Sequence, residues 1–431
     1  MSFPCSRICI LLFSAEFVLA TTVRAQDFSQ SSWCKTTGKY DPNQKRDLQN
    51  ETAQLRFAAN TYAALTKMSP ATSNLVYSPF SIHTAVAMTT TGAKGTTADQ
   101  LLATLGYPAG SSVANVSKLT SVFRSIDCPG SYNSTTLSVA NGIFVQEGKP
   151  LKESFTKTLN DAYDASAQKV DYRRHPKDAG KIINQWVAEK TASKIVDLVN
   201  PDAITPDMKL SLVNAVYING PWKEPFPEKA TAPADFFISP AKPVKTKMMH
   251  RIDMSHAKSN YFDSTDYQAV GLPTADRIVQ LILISPKGNI PLANLEKKID
   301  EKFLANTVAG LSPRTLDLKM PKFKIRQSQN FQDILSRMGA KLAMLVGADF
   351  SGIDGGADKL YISAIVHQAV VEVHEKGLEA AAATAVMMEV GAAPPKPETP
   401  LKVTIDRPFI FVIWSQQGNV PLFIGRVIDP R

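Results

Sequence analysis

Glu375-Lys376-Gly377-Leu378-Glu379-Ala380-Ala381-Ala382-Ala383-Thr384-Ala385-Val386-Met387-Met388-Glu389-Val390 is the stretch on which the fold turns. Ala, Leu, Glu and Met are among the best helix formers, so propensity alone predicts a surface helix. The chain then continues as Gly391-Ala392-Ala393-Pro394-Pro395-Lys396-Pro397-Glu398-Thr399-Pro400. Proline has no backbone N–H and a fixed φ, so no helix runs on through it. The segment reads as an exposed, extended tether. Drawn out as a strand, the preceding run alternates its side chains. Leu378, Ala380, Ala382 and Thr384 face one way, and Glu379, Ala381, Ala383 and Ala385 the other. Such a strand is narrow enough to slide between existing strands at little steric cost.

Around this segment the hydrophobic pattern divides into a helical first part and a strand-rich remainder. Residues 47–68 carry Leu55, Ala58, Ala59, Tyr62 and Leu65 on one helical stripe. Residues 81–90, 97–105 and 179–191 predict further helices, and 138–146 a strand. Residues 210–218 are almost continuously apolar, as in a strand buried on both faces, and 277–284 read likewise. Residues 316–325 alternate with a one-residue shift at Pro321, which predicts one strand with an edge position or bulge there. Residues 408–414 and 420–427 predict strands of an apolar core. This order predicts an α+β protein rather than regular βαβ alternation.

The N-terminus predicts secretion. Arg7 precedes a mostly apolar stretch over residues 8–20, and Val23-Arg24-Ala25 offers small residues where a signal peptidase reads. Residues 1–25 are therefore expected to leave as a signal peptide, with a cut after Ala20 as the alternative. The mature chain is expected to be extracellular, with no membrane span. Cys34 and Cys128 remain as an even pair in an oxidising compartment, either bridged or as two separate thiols. Asn50, Asn115 and Asn133 each open an Asn-X-Ser/Thr sequon.

The net charge is +9 and the pI about 9.2. That admits weak attraction to a polyanion or glycosaminoglycan, although no run of five or six like charges occurs. Aromatic residues do not alternate with the basic clusters Arg173-Arg174-His175 and Lys245 to Arg251, so nucleic acid is not expected as a partner. Enzyme signatures fail. There is no G-x-S-x-G, and His374-Glu375 runs on into Lys376-Gly377-Leu378, without the second histidine of H-E-x-x-H. Neither Gly92-Ala93-Lys94-Gly95 nor Gly352 to Gly356 has phosphate-loop spacing, and the histidines and cysteines have no metal-ligand spacing. No metal, no cofactor and no catalysis are expected.

Many separated motifs resemble the serpin family. They include Asn74-Leu75-Val76-Tyr77-Ser78-Pro79-Phe80-Ser81-Ile82, Val139-Ala140-Asn141-Gly142-Ile143-Phe144, and Leu212-Val213-Asn214-Ala215-Val216-Tyr217-Ile218. Further matches are Trp222-Lys223-Glu224-Pro225-Phe226, Ala348-Asp349-Phe350-Ser351-Gly352-Ile353, Arg407-Pro408-Phe409-Ile410-Phe411 and Leu422-Phe423-Ile424-Gly425-Arg426-Val427. The resemblance implies a serpin fold, with three β-sheets, surrounding helices and an exposed reactive-centre loop. It divides the chain into a signal peptide (1–25), an N-terminal extension (26–46) and one serpin domain (47–431), with hinge and loop at about 375–400. It implies a monomer whose partner is a serine protease. The protease attacks the loop, and the cleaved loop inserts into the large sheet before deacylation. The serpin is bait and stored energy, not an enzyme.

Residue by residue, the resemblance places the hinge at Glu375, Gly377, Leu378, Ala380, Ala381, Ala382, Ala383 and Thr384. Ser78, Ser81, Asn214 and His367 match the shutter, where the sheet must part. Trp222 matches the breach beneath the first point of insertion, and Lys322 the partner of Glu375. Cys34 and Cys128 resemble a bridge of the antithrombin branch. Two departures stand out. Leu378 occupies a position where the family usually has Thr or Ser, and overpacking by its bulk is expected to slow insertion. Family spacing forward from Glu375 puts the scissile bond at Gly391-Ala392, whereas counting back from Pro408 gives Pro397. Met387-Met388, Met388-Glu389 and Val390-Gly391 are the alternatives, and all suit a chymotrypsin- or elastase-like protease. The competing function is a non-inhibitory serpin acting as carrier, chaperone or storage protein.

The mature secreted chain is expected to begin at Gln26 and to carry no free thiol. Mass spectrometry of the secreted protein, alkylated under denaturing conditions, checks both. A retained N-terminus or two alkylated cysteines would refute the reading.

Overall fold

The computed structural model of the protein describes residues 47–119, 135–148, 150–163, 165–254, 258–356, 359–379 and 399–431. Asp47 caps helix α1 (Leu48–Met68) by accepting from the Asn50 backbone N–H at 3.2 Å. After strand β1 (Leu75–Tyr77), the Ser78 hydroxyl caps α2 (Pro79–Thr90) by accepting from the Ser81 N–H at 3.2 Å. Pro79 lies in the first turn, where a missing N–H removes no helical bond. Helix α3 (Gly95–Thr104) follows, then β2 (Thr136–Gln146), α4 (Glu153–Tyr163), β3 (Ala167–Val170), α5 (Pro176–Lys190) and β4 (Leu210–Pro221).

Strands dominate the remainder. They are β5 (Ala232–Ser239), β6 (Lys242–Ile252), β7 (Ser259–Asp263), β8 (Tyr267–Pro273), β9 (Val279–Pro286), β10 (Ser312–Arg314), β11 (Leu316–Pro321) and β12 (Phe323–Asn330). After them come β13 (Ile362–His374), β14 (Gly377–Leu378), β15 (Leu401–Thr404), β16 (Phe409–Ser415) and β17 (Val420–Val427). They form three sheets, in the orders β1-β17-β16-β9-β8-β7-β10, β15-β11-β6-β5 and β12-β13-β14-β4-β2-β3. The α+β expectation with three sheets and surrounding helices holds.

One expectation is corrected. The alternating run over residues 316–325 is two strands in two sheets, not one strand with a bulge. At Pro321 the chain leaves the four-stranded sheet, and at Phe323 it joins the six-stranded one. Proline has no N–H with which to continue the first ladder. The N–H of Lys322 is donated instead to the Lys247 carbonyl at 2.9 Å, which fixes the crossing.

The six-stranded sheet is buried on both faces at its centre. On one face Ile183 and Val187 of α5 pack against Phe144, Val213, Ala215 and Val370. On the other, Val216, Ile218, Val371 and Val373 join a cluster shared with the other two sheets, including Leu318, Val403, Phe409 and Phe411. Burial on both sides explains the unbroken apolar run of β4.

Asn50 is corrected as a glycan acceptor. It is buried, its amide nitrogen donates to the Asp47 carboxylate at 2.8 Å, and its amide oxygen accepts from the Tyr107 hydroxyl at 2.5 Å. The nitrogen that would carry the sugar is engaged by Asp47 on a residue only 5% exposed. Asn115 is partly exposed on the short turn Val113–Leu119. Cys34, Cys128, Asn133, residues 1–46, Ala380, Ala381, Ala382, Ala383, Thr384, Met387, Met388, Val390, Gly391 and Ala392 lie outside the described residues.

Candidate functional site

At His374 strand β13 ends, and the chain turns through Glu375-Lys376 and comes back as β14. The turn is stitched to the segment after β4. Trp222, 3% exposed, donates its indole N–H to the His374 carbonyl and its backbone N–H to that of Lys376, both at 2.8 Å. Phe226 donates its N–H to the Glu375 carbonyl at 2.8 Å. The Glu375 carboxylate accepts from Lys322 Nζ at 2.8 Å and from the Thr231 hydroxyl at 3.0 Å. Burial by itself would raise the Glu375 pKa. The bonds from Lys322, its own backbone and Thr231 outweigh that and hold it below the ordinary glutamate value.

Beyond the turn, Gly377 and Leu378 lie inside the large sheet, antiparallel to β13 on one side and to β4 on the other. Leu378 faces Val373 and Gly220, and Gly377 faces His374 and Pro221. A Cβ on Gly377 would meet the Gly220 carbonyl oxygen at 2.2 Å, so only glycine lets the two backbones approach. Leu378 is fully buried in the cluster between the sheets. Two expectations change. The exposed loop does not begin at Glu375, because the chain is already in the sheet through Leu378. The bulk of Leu378 does not oppose this first step, because the residue opposite it on β4 is Gly220, with no side chain.

Glu379 follows with φ of +35° and leaves the ladder after one further bond, from its N–H to the Glu372 carbonyl at 3.1 Å. Its carboxylate accepts from Lys194 Nζ at 3.0 Å. Lys194 follows α5 and also sits 5.5 Å from the centre of the Tyr217 ring. Burial first, then the neighbouring Glu379, raise the Tyr217 hydroxyl pKa. Sequence reasoning did not single out Lys194 or Tyr217, since only the tertiary fold brings them to the hinge.

Below β14 nothing separates β13 from β4, and they pair directly as parallel strands from Ile362↔Leu210 to Val370↔Tyr217. At the middle of this junction His367 stands beside Asn214, which stands beside Asn141 of β2. The Ser78 backbone N–H donates to His367 Nε2 at 3.0 Å, so that nitrogen holds a lone pair. The proton is then on Nδ1, which donates to the Asn214 amide oxygen. The Asn214 amide nitrogen donates to the Ser81 hydroxyl and to the Asn141 amide oxygen. Every polar group of Asn214 is thus paired, as burial demands. The structure brings Ser78, Ser81, Asn214 and His367 together. Asn141 is a fifth member that sequence reasoning quoted in a motif but did not single out.

Burial pushes the His367 pKa down from 6.5 to about 3. The geometry agrees, because a proton on Nε2 would face the Ser78 N–H. Among the described residues no group of three or more His, Cys, Asp or Glu is placed to hold a metal ion. What the arrangement can do is mechanical: a sheet with its first inserted pair seated, above a parallel junction closed by one polar cluster.

Because the His367 pKa is depressed, its contribution to stability is complete above about pH 6.5 and is lost progressively as pH falls toward 3. His367→Gln should cost about 1–3 kcal/mol at pH 7.5, and the gap to the unsubstituted protein should narrow as pH falls. Urea unfolding at several pH values checks this, and a constant gap would refute the neutral imidazole. Leu378→Ala should speed amide exchange in the hinge by about tenfold, equivalent to about 1.4 kcal/mol of local opening. Exchange in β16 and β17 should not change. Mass-spectrometric hydrogen exchange distinguishes this from a global loss of stability.

Comparison with known proteins places this geometry. A family model described as "Serpin (serine protease inhibitor)" matches residues 52–430. The leukocyte elastase inhibitor of Bos taurus is 33% identical over 389 residues, covering 88% of this chain and 98% of that one. The crystal structure of Serpin48, described as a highly specific serpin of the insect Tenebrio molitor, superposes with a TM-score of 0.78 at 30% identity, covering 89% and 99%. Human thyroxine-binding globulin with its bound hormone superposes with a TM-score of 0.77 at 24% identity, covering 88% and 98%, a likeness of fold alone.

Proposed function

The chain belongs to the serpin family, and from that premise we propose that it is an extracellular inhibitor of a chymotrypsin- or elastase-like serine protease, acting by insertion of its cleaved loop. One observation carries this reading: Gly377-Leu378 already sits between β13 and β4, directly above the junction that full insertion would open. In the proposed reaction the protease's own serine attacks the loop carbonyl, with Gly391-Ala392 as the leading bond, and an acyl-enzyme forms as the new N-terminal end departs. The freed strand then zips downward from Leu378. It would replace one parallel pairing with two antiparallel ones, which are slightly more stable per residue. The protease, still acylated, would be carried with it.

Continuing the observed register identifies what the strand would meet. Leu378 opposes Val373 and Gly220. Stepping along both neighbours, Ala380 would oppose Val371 and Ile218, Ala382 would oppose Ala369 and Val216, and Thr384 would arrive between His367 and Asn214. It would come on the face that carries their side chains. Insertion must break the His367–Asn214 bond, and the Thr384 hydroxyl is the first hinge group able to take both partners. Glu379, Ala381, Ala383 and Ala385 would pass beneath α5, where small side chains avoid Trp186 and Ile183.

The test is to mix the protein with chymotrypsin- and elastase-like proteases and look for a complex that survives boiling in detergent. Rapid loop cleavage without such a complex, and without a rise in thermal stability afterwards, refutes inhibition and favours a carrier or storage role. If the register argument is right, Thr384→Val leaves the rate of loop cleavage unchanged. It raises, by about twofold or more, the moles of protein consumed per mole of protease trapped. That corresponds to a partition change of about 0.4 kcal/mol or more.

A further inference from the structure

The space opposite Leu378 is closed by residues from outside the hinge. Strand β2 pairs Thr136 with Asn219, so Thr135 stands one step further on, beside Gly220. Thr135, Gly220, Leu378 and Val373 therefore make one row across the large sheet. Gly220 leaves a gap in that row, and two threonines fill it. A Cβ on Gly220 would meet Thr135 Oγ1 at 2.9 Å and Thr274 Cγ2 at 3.0 Å. Thr274 comes from the turn between β8 and β9, in the seven-stranded sheet, and both threonines are buried. The seat of Leu378 is thus shared between two sheets.

Asp276, in the same turn, holds both threonines. Its carboxylate accepts from the Thr135 backbone N–H at 2.5 Å, the Thr135 hydroxyl at 2.9 Å, the Thr274 hydroxyl at 2.7 Å and the Ile278 N–H at 3.1 Å. Bonds that end on a carboxylate are stronger than neutral ones. The last two are local, and an aspartate makes such bonds in many turns. The first two reach 141 residues back along the chain, to the residue just before β2. The turn is also stitched to the end of β4. Ala275 donates its N–H to the Pro221 carbonyl, and Lys223 its N–H to the Pro273 carbonyl, each at 2.9 Å. Pro221 in turn faces Gly377, and the Trp222 N–H bonds the Lys376 carbonyl. A continuous path of hydrogen bonds and close backbone contacts leads from Asp276 to the hinge.

We propose that Asp276 is a positioning residue for loop insertion: by clamping Thr135 and Thr274 against Gly220 it keeps Leu378 seated, and so sets the fraction of cleaved loops that insert before the protease escapes. The inference rests on the inhibitory reading above and adds to it a residue placed outside the loop. Seating the first pair carries the entropic cost of ordering the hinge backbone, and the native protein has already met that cost. A cleaved strand that starts from a seated Leu378 only has to propagate. Without the carboxylate, the Thr135 N–H and both threonine hydroxyls lose an acceptor in a buried place, and the row beside Gly220 has no reason to stay closed. A seat that is empty part of the time delays insertion. Deacylation competes with insertion as a rate, so more loops end as hydrolysed product.

The test compares the unsubstituted protein with Asp276→Ala, Asp276→Asn, Thr135→Val and the Asp276→Ala/Thr135→Val double variant. Mass-spectrometric hydrogen exchange, without protease, reads the hinge. Exchange over residues 376–379 should rise about tenfold in Asp276→Ala, with that of β16 and β17 unchanged. Asp276→Asn keeps one acceptor oxygen and Thr135→Val keeps the backbone bond, so both should be intermediate. The double variant should match Asp276→Ala, because the Thr135 hydroxyl acts through the carboxylate. With a chymotrypsin- or elastase-like protease, the Asp276→Ala loop should be cleaved at least as fast. The moles of protein consumed per mole of protease trapped should rise about twofold or more. Unchanged hinge exchange overturns the proposal. So does exchange raised equally in β16 and β17, which would leave Asp276 as a general stabiliser, and so do additive effects in the double variant. Should Asp276→Ala fail to fold, Asp276→Asn and Thr135→Val decide, and a hinge unchanged in both refutes the idea. The two readings fail separately. A hinge loosened by Asp276→Ala in a protein that traps no protease removes the inhibition and leaves Asp276 as the residue that seats the hinge. Trapping at a ratio indifferent to Asp276→Ala does the reverse.

Discussion

The hydrogen bond from His367 to Asn214 joins two parallel strands at the middle of a sheet that is buried on both faces. Much of the architecture depends on it. The imidazole must be neutral, because its other nitrogen accepts from the Ser78 N–H. That N–H opens the capping turn of α2, whose Ser81 hydroxyl reaches the same asparagine. One polar cluster therefore ties three strands and a helix together in an apolar interior. In such surroundings an unpaired amide or imidazole costs far more than in water, so the cluster is held as a unit. A unit of this kind can be broken and replaced by another that satisfies the same groups. It cannot be opened gradually.

The upper end of the same sheet is built differently. There β13 and β4 diverge around Gly377 and Leu378, and the groups that hold the turn are mostly backbone carbonyls, satisfied by Trp222 and Phe226. The side-chain anchors sit at the margin, Lys322 on Glu375 and Lys194 on Glu379. Lys194 and Lys322 are both partly exposed, so each pair contributes little, by comparison with the buried leucine between them. The hinge is thus held chiefly by apolar burial and close backbone approach.

The main elements were legible where one face or both faces of an element set the pattern. The run over residues 210–218 read as a doubly buried strand because α5 covers one side and the inter-sheet core the other. Alternation over residues 316–325 also read correctly as strand, yet it carries no sign of the change of sheet, since both sheets bury alternate residues against the same core. The sequon at Asn50 matched its pattern and was misread, because only the fold puts Tyr107 against that amide. Asn141 was within a quoted motif, but its place beside Asn214 is a matter of strand register. Nothing in the sequence around Lys194 pointed to its contact with the hinge.

The segment from Glu375 to Pro400 shows the division most clearly. Read from the sequence alone, the segment was expected to end in an extended tether, because four prolines follow a run of alanines that is apolar and narrow. Its motifs determined the family. What only the tertiary structure decided is where the loop begins. The bulk of Leu378 was expected to slow its entry into the sheet, yet the residue is already there, because the backbone opposite it is Gly220 and the one before it is Gly377. Side-chain size is written in the sequence, but the space available to it is set by residues that meet only after folding.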